Sequence, residues 1–183
     1  QALRKRIDIE LYTPGNSGGR PLRLPIIPTL HDASAQERTQ LAQFAASGLA
    51  AMMGYGNSTA HRAKLAVLHC AIQLHSGDRD ATLEVLLDTI NRPDPDLLNS
   101  VGALQRHFAT LSEDLQSLLI QRGALLTGEG TLLDVSTLLP PQDSKPKLSI
   151  INTSALTEIP VLQFWVSRLL IELARLSRKR PTK

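Results

Sequence analysis

The last helix of this chain is apolar on more than one side, and it constrains the fold more than any motif does. Thr157 is predicted to cap it, and Pro160 would lie in its first turn, where a missing N–H costs little. Its apolar residues are Val161, Leu162, Phe164, Trp165, Val166, Leu169, Leu170, Leu173 and Leu176. Its narrow polar stripe is Arg168, Glu172, Arg175 and Lys179. Such a helix is expected to be buried on most sides, against a sheet with strands outside this chain or by self-association.

The composition is that of an ordinary globular domain. Of the 183 residues 42% are apolar and 3% aromatic, so the core is expected to be mostly aliphatic. No apolar run approaches the roughly 20 residues that cross a bilayer, and no signal peptide is recognisable. Cys70 is the only cysteine, which excludes a disulfide framework and a thiolate metal site. These features predict a cytoplasmic protein without a membrane partner. The chain starts at Gln1 in a charged segment, and we expect it to be a piece of a larger protein.

Charge is unevenly distributed along the chain. Residues 1–23 carry five basic and two acidic side chains, and residues 144–183 carry eight and two. The middle, residues 24–143, carries seven basic and thirteen acidic side chains. Any contact with nucleic acid would therefore involve the two ends. The candidate phosphate contacts are Arg175, Arg178, Lys179 and Arg180. The competing interpretation is that these residues only complement the dipole at the helix C-terminus.

Strand patterns occur near both ends, with a helical region between them. Residues 6–12 alternate, with Ile7, Ile9 and Leu11 on one face, which predicts a half-buried strand. Residues 22–27 indicate an extended edge segment because prolines interrupt them. Residues 132–135 indicate a short strand, and the apolar run 148–153 a largely buried one.

Five helices are expected between these strands. Ser34 with Glu37 fits a capping box for the first helix, and Asn57 or Ser58 can cap the second. The third is short, the fourth runs from about residue 96 to 109, and Ser112 is predicted to cap the fifth.

No catalytic or metal-binding residue is predicted. The stretch from Gly15 to Arg20 lacks the glycine spacing and the Lys-Ser/Thr pair of a phosphate loop, so it is interpreted as a turn. Residues 54–59 begin like a dinucleotide motif but lack its last glycine and follow a helix. The five histidines form no i, i+4 pair on a helix. The paired acids Asp94/Asp96 and Glu113/Asp114 are expected at helix starts, where they satisfy backbone amides. Asp78 and Asp80 are interpreted in the same way.

The order of these segments resembles the HerA-like ATPases, in the HerA/FtsK group of hexameric DNA-translocating P-loop proteins. The residues that carry this resemblance are Leu11–Gly15 with Gly19–Leu22, Leu126–Gly130 with Leu132–Val135, and Leu148–Ser154 with Gln163–Leu170. The first pair is similar to the strand and turn after the family's first nucleotide-binding strand–helix unit. The second pair is similar to the end of a helical insertion in bacterial members. The third pair is similar to the strand and helix just before the Walker B strand. The resemblance implies a parent that binds ATP and Mg²⁺, acts on DNA and forms a homo-oligomer, a hexamer.

In that resemblance both nucleotide-binding motifs lie outside this chain. Residues 148–153 carry no acidic side chain, and Asn152 is no substitute for a magnesium-binding carboxylate. We therefore expect an α+β fold that is mostly α-helical. Residues 30–127 are expected to form a helical insertion. Residues 1–29 and 128–183 are expected to supply the strands of an incomplete P-loop ATPase sheet and a long C-terminal helix. The chain is expected to be a piece of a translocase or helicase-type ATPase and to be inactive alone. It is expected to bind no cofactor of its own, and its expected partner is the remainder of the parent. The alternative is a stand-alone helical protein-interaction module.

Overall fold

The computed structural model describes residues 7–15, 18–23, 26–27, 33–75, 82–126, 131–132, 138 and 145–179, with the backbone alone at 23, 124, 131–132 and 176–179. These residues form an α+β fold that is mostly helical, with a small parallel sheet. The chain divides into two compact units. The sheet unit contains residues 1–24 and 128–183, and the helical unit contains residues 25–127. The sequence placed the corresponding boundaries after residues 29 and 127.

The sheet unit is built on four parallel strands. They are β1 (Asp8–Pro14), β2 (Arg20–Arg23), β3 (Thr131–Leu132) and β4 (Lys147–Ile151), in the order β3-β2-β1-β4. β1 pairs with β4 in a register that runs from Asp8 opposite Lys147 to Tyr12 opposite Ile151. The expectation that strands from both ends of the chain share one sheet is confirmed.

The predicted edge position of the segment that begins at Leu22 is wrong. β2 lies between β3 and β1. The short β3 meets β2 at Leu22 and Arg23, beyond Pro21, so the proline does not interrupt that pairing.

An unusually short link joins the parallel strands β1 and β2. Parallel neighbours normally need a connection of about a dozen residues or more, whereas here only residues 15–19 lie between them. Gly15 has φ 68°, a conformation that favours glycine. Gly19 donates its N–H to Thr13 Oγ1 at 3.1 Å, and a Cβ there would lie 2.9 Å from Thr13 Cγ2. At its described positions, Gly15 and Gly18–Gly19, the glycine-rich stretch forms a turn and a bend that leave a strand, as predicted.

The helical unit has its own aliphatic core. Its first two helices are α1 (Ala35–Met52) and α2 (Thr59–Leu74), whose caps are the predicted Ser34 and Ser58. α3 (Leu83–Asn91) follows, with Thr82 as its cap. α1 packs on α2, and α3 packs on a later helix, α5 (Phe108–Leu126). The fully buried core side chains include Ala45, Leu49, Leu68, Ile72, Leu83, Leu86, Leu97, Leu111 and Leu115.

The predicted fourth and fifth helices are divided differently. α4 (Pro95–Val101) ends where Gly102 takes φ 51°, a 3₁₀ segment covers Gly102–His107, and α5 runs over Phe108–Leu126. Ser112 therefore lies inside α5 and caps nothing; its hydroxyl donates to Asn91 Oδ1 at 2.6 Å. The signal that was missed is Gly102 itself, which takes up a positive φ at the end of α4.

The last helix, α6 (Ile159–Lys179), begins two residues after the predicted cap at Thr157. The residue before the helix is Glu158, whose carbonyl accepts the N–H of Leu162 at 3.0 Å. Pro160 occupies the first turn, as expected. Most positions of this helix up to Arg175 are buried or half-buried, as expected, but one side is exposed at Ile159, Val166 and Leu170.

Candidate functional site

The four candidate phosphate contacts belong to the end of α6 or to the residues that follow it. Arg175 is half-buried, and its Nη1 lies 3.4 Å from Glu172 Oε1. Arg178 and Lys179 lie in the last turn of the helix, where only the backbone is described, and Arg180 lies outside the described residues. The structure therefore gives a partner to Arg175, and phosphate binding by this cluster stays a prediction.

Three residues of the polar stripe of α6 face inward, namely Arg168, Glu172 and Arg175, whereas only the backbone of Lys179 is described. Arg168 is only 1% exposed, and its Nη1 lies 2.5 Å from Glu172 Oε1, one helical turn away. Burial lowers the pKa of Arg168, and the carboxylate of Glu172 opposes that effect. Glu172 therefore sits between Arg168 and Arg175 and compensates buried positive charge.

The outward side of α6 carries no charge over four helical turns. From residue 159 to 174 its exposed positions are Ile159, Gln163, Val166, Leu170 and Ala174, spaced three and four apart. Solvent-facing helix surfaces normally carry charged and polar side chains. We call Ile159, Val166 and Leu170 the α6 stripe.

In the sheet, as in α6, charged side chains lie on the covered side and apolar side chains lie on the exposed side. On that face Tyr12 is fully buried, and Lys147 Nζ lies 2.6 Å from Glu10 Oε2 and 3.0 Å from the Tyr12 hydroxyl. The Tyr12 hydroxyl donates to Glu10 Oε2, and Arg20 pairs with Glu10 Oε1 from the more exposed edge of the cluster. Residues 10, 12 and 147 thus form a compact polar network beneath the sheet.

The network shifts the pKa values of its charged members in opposite directions. Hydrogen bonds from Lys147 and Tyr12 lower the pKa of Glu10. Burial alone would lower the pKa of Lys147, but its hydrogen bonds to Glu10 and Tyr12 outweigh burial and leave it raised. Both groups therefore stay ionised at neutral pH, which makes them an ion pair rather than a proton-transfer pair.

The opposite face of the sheet is apolar and open to solvent. Ile9 lies opposite Leu148 and Leu11 opposite Ile150, and each of the four side chains is between 42% and 49% exposed. Parallel sheets are normally covered on both faces, usually by helices. The sequence predicted that β4 is largely buried, and this prediction is wrong. We call these four residues the open face.

A second polar cluster ties the α1–α2 turn to α5 in the helical unit. Tyr55 donates its hydroxyl to Asp114 Oδ2 at 2.5 Å, and Lys64 Nζ lies 2.7 Å from the same oxygen. His61 stacks on Tyr55 with ring centroids 4.7 Å apart, and its Nδ1 accepts the N–H of Gly56. Asp114 lies inside α5, so the expectation that it sits at a helix start is wrong.

Asp114 holds its charge despite partial burial. Burial raises the pKa of this carboxyl, but the hydrogen bonds from Lys64 and Tyr55 outweigh burial and leave it lowered. Burial and the bond to Asp114 raise the pKa of Tyr55. Asp114 also lines a cavity of about 110 Å³ together with Met52, Met53, Ser117, Leu118 and Gln121. The carboxylate of Asp114 therefore joins the α1–α2 turn, α2 and α5.

The remaining candidates from the sequence are the acids expected at helix starts and the single cysteine. Asp94 accepts the N–H of Leu97 at 2.7 Å as the cap of α4, as predicted, whereas Asp78 and Asp80 lie outside the described residues. Burial raises the pKa of the Cys70 thiol.

Across the described ranges, no three His, Cys, Asp or Glu side chains come close enough to hold a metal ion. Over the same ranges, no helix combines the length and the apolar character needed to cross a membrane.

Comparison with known proteins finds no matching family model, no matching curated protein and no matching solved structure. The class of this protein is therefore argued from its residues and its sheet alone.

Proposed function

We propose that this chain is the segment of a HerA-like ATP-dependent DNA translocase or helicase-type ATPase that lies between the two nucleotide-binding motifs. The parallel pairing of β1 with β4 supports this most directly, because these strands precede and follow the helical unit in the sequence. The resemblance requires strands on either side of a helical insertion to join one parallel sheet. In the parent, the helical unit would be an insertion on an ATPase core.

The proposal assigns ATP and Mg²⁺ to other parts of the parent, because the described residues at the end of β4 do not fit a magnesium site. β4 has the sequence Lys-Leu-Ser-Ile-Ile and offers no carboxylate. Asn152 follows it, with its N–H bonded to the carbonyl of Tyr12 and its Oδ1 accepting the N–H of Ser154 at 3.0 Å. We derive no catalytic step from these groups and expect the chain alone to be inactive.

The reading frame that encodes the chain provides the first test. The proposal requires a phosphate-binding loop encoded upstream and an apolar strand that ends in Asp-Glu downstream. The protein made from that frame is expected to hydrolyse ATP in a DNA-stimulated manner with Mg²⁺, whereas residues 1–183 are not. A frame without these motifs, or turnover by residues 1–183 that a single substitution abolishes, would overturn the proposal.

The proposed DNA contact can be measured separately. We expect binding of a DNA duplex, followed by fluorescence anisotropy, to weaken steeply as salt is added. Replacing Arg178, Lys179 and Arg180 by Ala should reduce the salt slope by about 3 if each contacts a phosphate. Arg175 is expected to contribute less because Glu172 already contacts it. Arg106→Ala, an exposed position in the helical unit, is the matched control.

The second candidate is a stand-alone helical protein-interaction module. It is favoured by the self-contained core of the helical unit, whose helices α1 to α5 bury their aliphatic faces within residues 25–127. On this hypothesis residues 25–127 would fold alone, and the encoding frame would contain no nucleotide-binding motif. Expression of residues 25–127 with thermal unfolding by circular dichroism tests the first point, and the reading frame tests the second.

A further inference from the structure

We propose that Met52 and Met53 form an oxidation-sensitive site in the helical unit, where a peroxide converts their thioethers to sulfoxides and thereby weakens the contact that joins the α1–α2 turn, α2 and α5. This inference goes beyond the ATPase proposal, because it depends only on residues of the helical unit. Its readouts are added mass, ionisation of a tyrosine and thermal unfolding, so each proposal can fail without the other.

The two methionines lie next to each other at the end of α1, and the chain contains no others. Met52 is the last residue of α1, Met53 is its C-cap, and both side chains are half-buried. Both line the cavity of about 110 Å³ that Asp114 also lines. The other described residues that line it belong to α5, so the cavity lies between the end of α1 and that helix.

The cavity reaches the surface of the helical unit, because Ser117 and Gln121, two of its lining residues, are exposed. A small oxidant such as hydrogen peroxide therefore has access to the two thioethers. Methionine oxidation turns a flexible apolar side chain into a polar one, and methionine sulfoxide reductases reverse it. The site thus has the two states that a redox-sensitive device requires.

Each reaction transfers one oxygen atom from the peroxide to sulfur. A lone pair of the thioether sulfur attacks one oxygen of hydrogen peroxide, and the O–O bond breaks as the S–O bond forms. The hydroxide that leaves takes up the proton of the transferred oxygen and becomes water. The sulfur is oxidised by two electrons, and the peroxide is reduced by two.

The third sulfur atom of the chain, that of Cys70, is less reactive for a reason that does not apply to methionine. Burial raises the pKa of the Cys70 thiol, so the thiolate is scarce at neutral pH. The thiolate is the form of cysteine that reacts with oxidants, whereas a thioether needs no ionisation. Peroxide is therefore expected to modify Met52 and Met53 first.

A sulfoxide would place a new polar oxygen in the cavity that Asp114 lines. The carboxylate of Asp114 binds the Tyr55 hydroxyl at 2.5 Å and Lys64 Nζ at 2.7 Å through one oxygen. The sulfoxide oxygen carries partial negative charge, so it repels this carboxylate and competes for its two donors. It also adds a polar group to the lining that includes Leu118, which is only 3% exposed. Both effects favour separation of the end of α1 from α5.

Mass spectrometry of the intact chain after brief treatment with hydrogen peroxide tests the reactivity. The Cys70→Ala variant serves as the parent, so that thioethers are its only sulfur groups. We expect this protein to gain two oxygen atoms, and the variant that also carries Met52→Leu and Met53→Leu to gain none. Leucine conserves the volume of methionine and is well tolerated in cores. Circular dichroism verifies folding, and the two single methionine variants, which should each gain one oxygen, replace a double variant that is unfolded.

The oxidised protein must also lose the contact at Asp114. Oxidation should lower the thermal midpoint of the helical unit, measured by circular dichroism, by about 4–8 °C. It should also shift the ionisation of Tyr55, measured against Tyr55→Phe, down towards the usual tyrosine pKa of about 10. Urea unfolding followed by Trp165, in the sheet unit, should not change. Methionine sulfoxide reductases should reverse both shifts.

Three results would overturn the proposal. The first is a methionine pair that stays unmodified while free methionine in the same solution is oxidised. The second is full oxidation that changes neither the thermal midpoint nor the ionisation of Tyr55. The third is an equal response to peroxide in the variant that lacks both methionines, because the effect would then arise elsewhere in the chain.

Discussion

Lys147 on β4 and Glu10 on β1 form an ion pair on the covered face of the sheet, with 2.6 Å between Nζ and Oε2 and with both side chains less than 15% exposed. The two residues lie on neighbouring parallel strands, offset by two positions from direct register. The pair therefore joins a strand near the start of the described chain to one near its end.

Removing one partner of this pair should destabilise the sheet unit. We expect Lys147→Met to lower the free energy of unfolding by about 1–3 kcal/mol, because Glu10 would keep its charge with only Tyr12 and Arg20 as partners. Urea unfolding followed by the fluorescence of Trp165, the only tryptophan, reports on this unit. Lys145→Ala, at an exposed position of the same unit, is the control and should change stability by less than about 0.5 kcal/mol.

The same pair predicts the pH dependence of the sheet unit. The lowered pKa of Glu10 means that its contribution is present above the unfolded-state pKa and is lost as pH falls through the folded-state value. The raised pKa of Lys147 gives a contribution that is present below its unfolded-state pKa and is lost as pH rises through the folded-state value. Urea midpoints at a series of pH values should therefore fall at both extremes. Glu10→Gln should flatten the acid side, and an unchanged acid side in that variant would contradict the assignment.

Tyr55 should ionise well above the usual tyrosine pKa of about 10, because burial and the bond to Asp114 both raise it. Ultraviolet titration of the chain minus that of Tyr55→Phe should therefore show no phenolate near pH 10 while the helical unit remains folded. The substitution removes one hydrogen bond to Asp114 and should cost about 1 kcal/mol. Thermal unfolding by circular dichroism measures this loss, and a difference spectrum with normal ionisation would contradict the Tyr55–Asp114 contact.

Gly19→Ala should destabilise the link between β1 and β2. The added Cβ would lie 2.9 Å from Thr13 Cγ2 and 3.0 Å from the Leu11 carbonyl oxygen, and the latter is backbone and cannot rotate away. We expect a loss of about 1–3 kcal/mol by urea unfolding. Gly56→Ala is the matched control, since nothing lies within 4 Å of its Cβ position and its φ is not positive. Equal effects of the two substitutions would show that the close contact at Gly19 is unimportant.

Local signals in the sequence predicted the elements well. Ser34 and Ser58 cap their helices because a hydroxyl next to a free amide is a short-range interaction. The alternation in β1 identified which residues share a face, but alternation does not reveal which face a neighbour covers. Ile9 and Leu148 are expected inside and lie on the exposed face, and the pattern of α6 did not reveal that Arg168 is buried.

The sequence did not predict the contacts between side chains that lie far apart in the chain. Tyr55 and Asp114 are 59 residues apart, and their contact depends on how α1, α2 and α5 pack. Asp114 was assigned to a helix start because Ser112 resembles a cap, whereas the preceding 3₁₀ segment leads directly into α5. The ATPase resemblance rests on the order of segments, and it stays a prediction that the reading frame and the activity assays test.

The pairing of Leu11 with Ile150 has a consequence for biosynthesis. At a translation rate of roughly 5–20 residues per second, β1 leaves the ribosome about 7–28 s before its β4 neighbour has been made. Throughout that interval a nascent strand with Ile9 and Leu11 presents unpaired amides and aliphatic side chains to its surroundings. Its edge must be shielded meanwhile, by a chaperone or by early pairing with β2, which follows after only five residues.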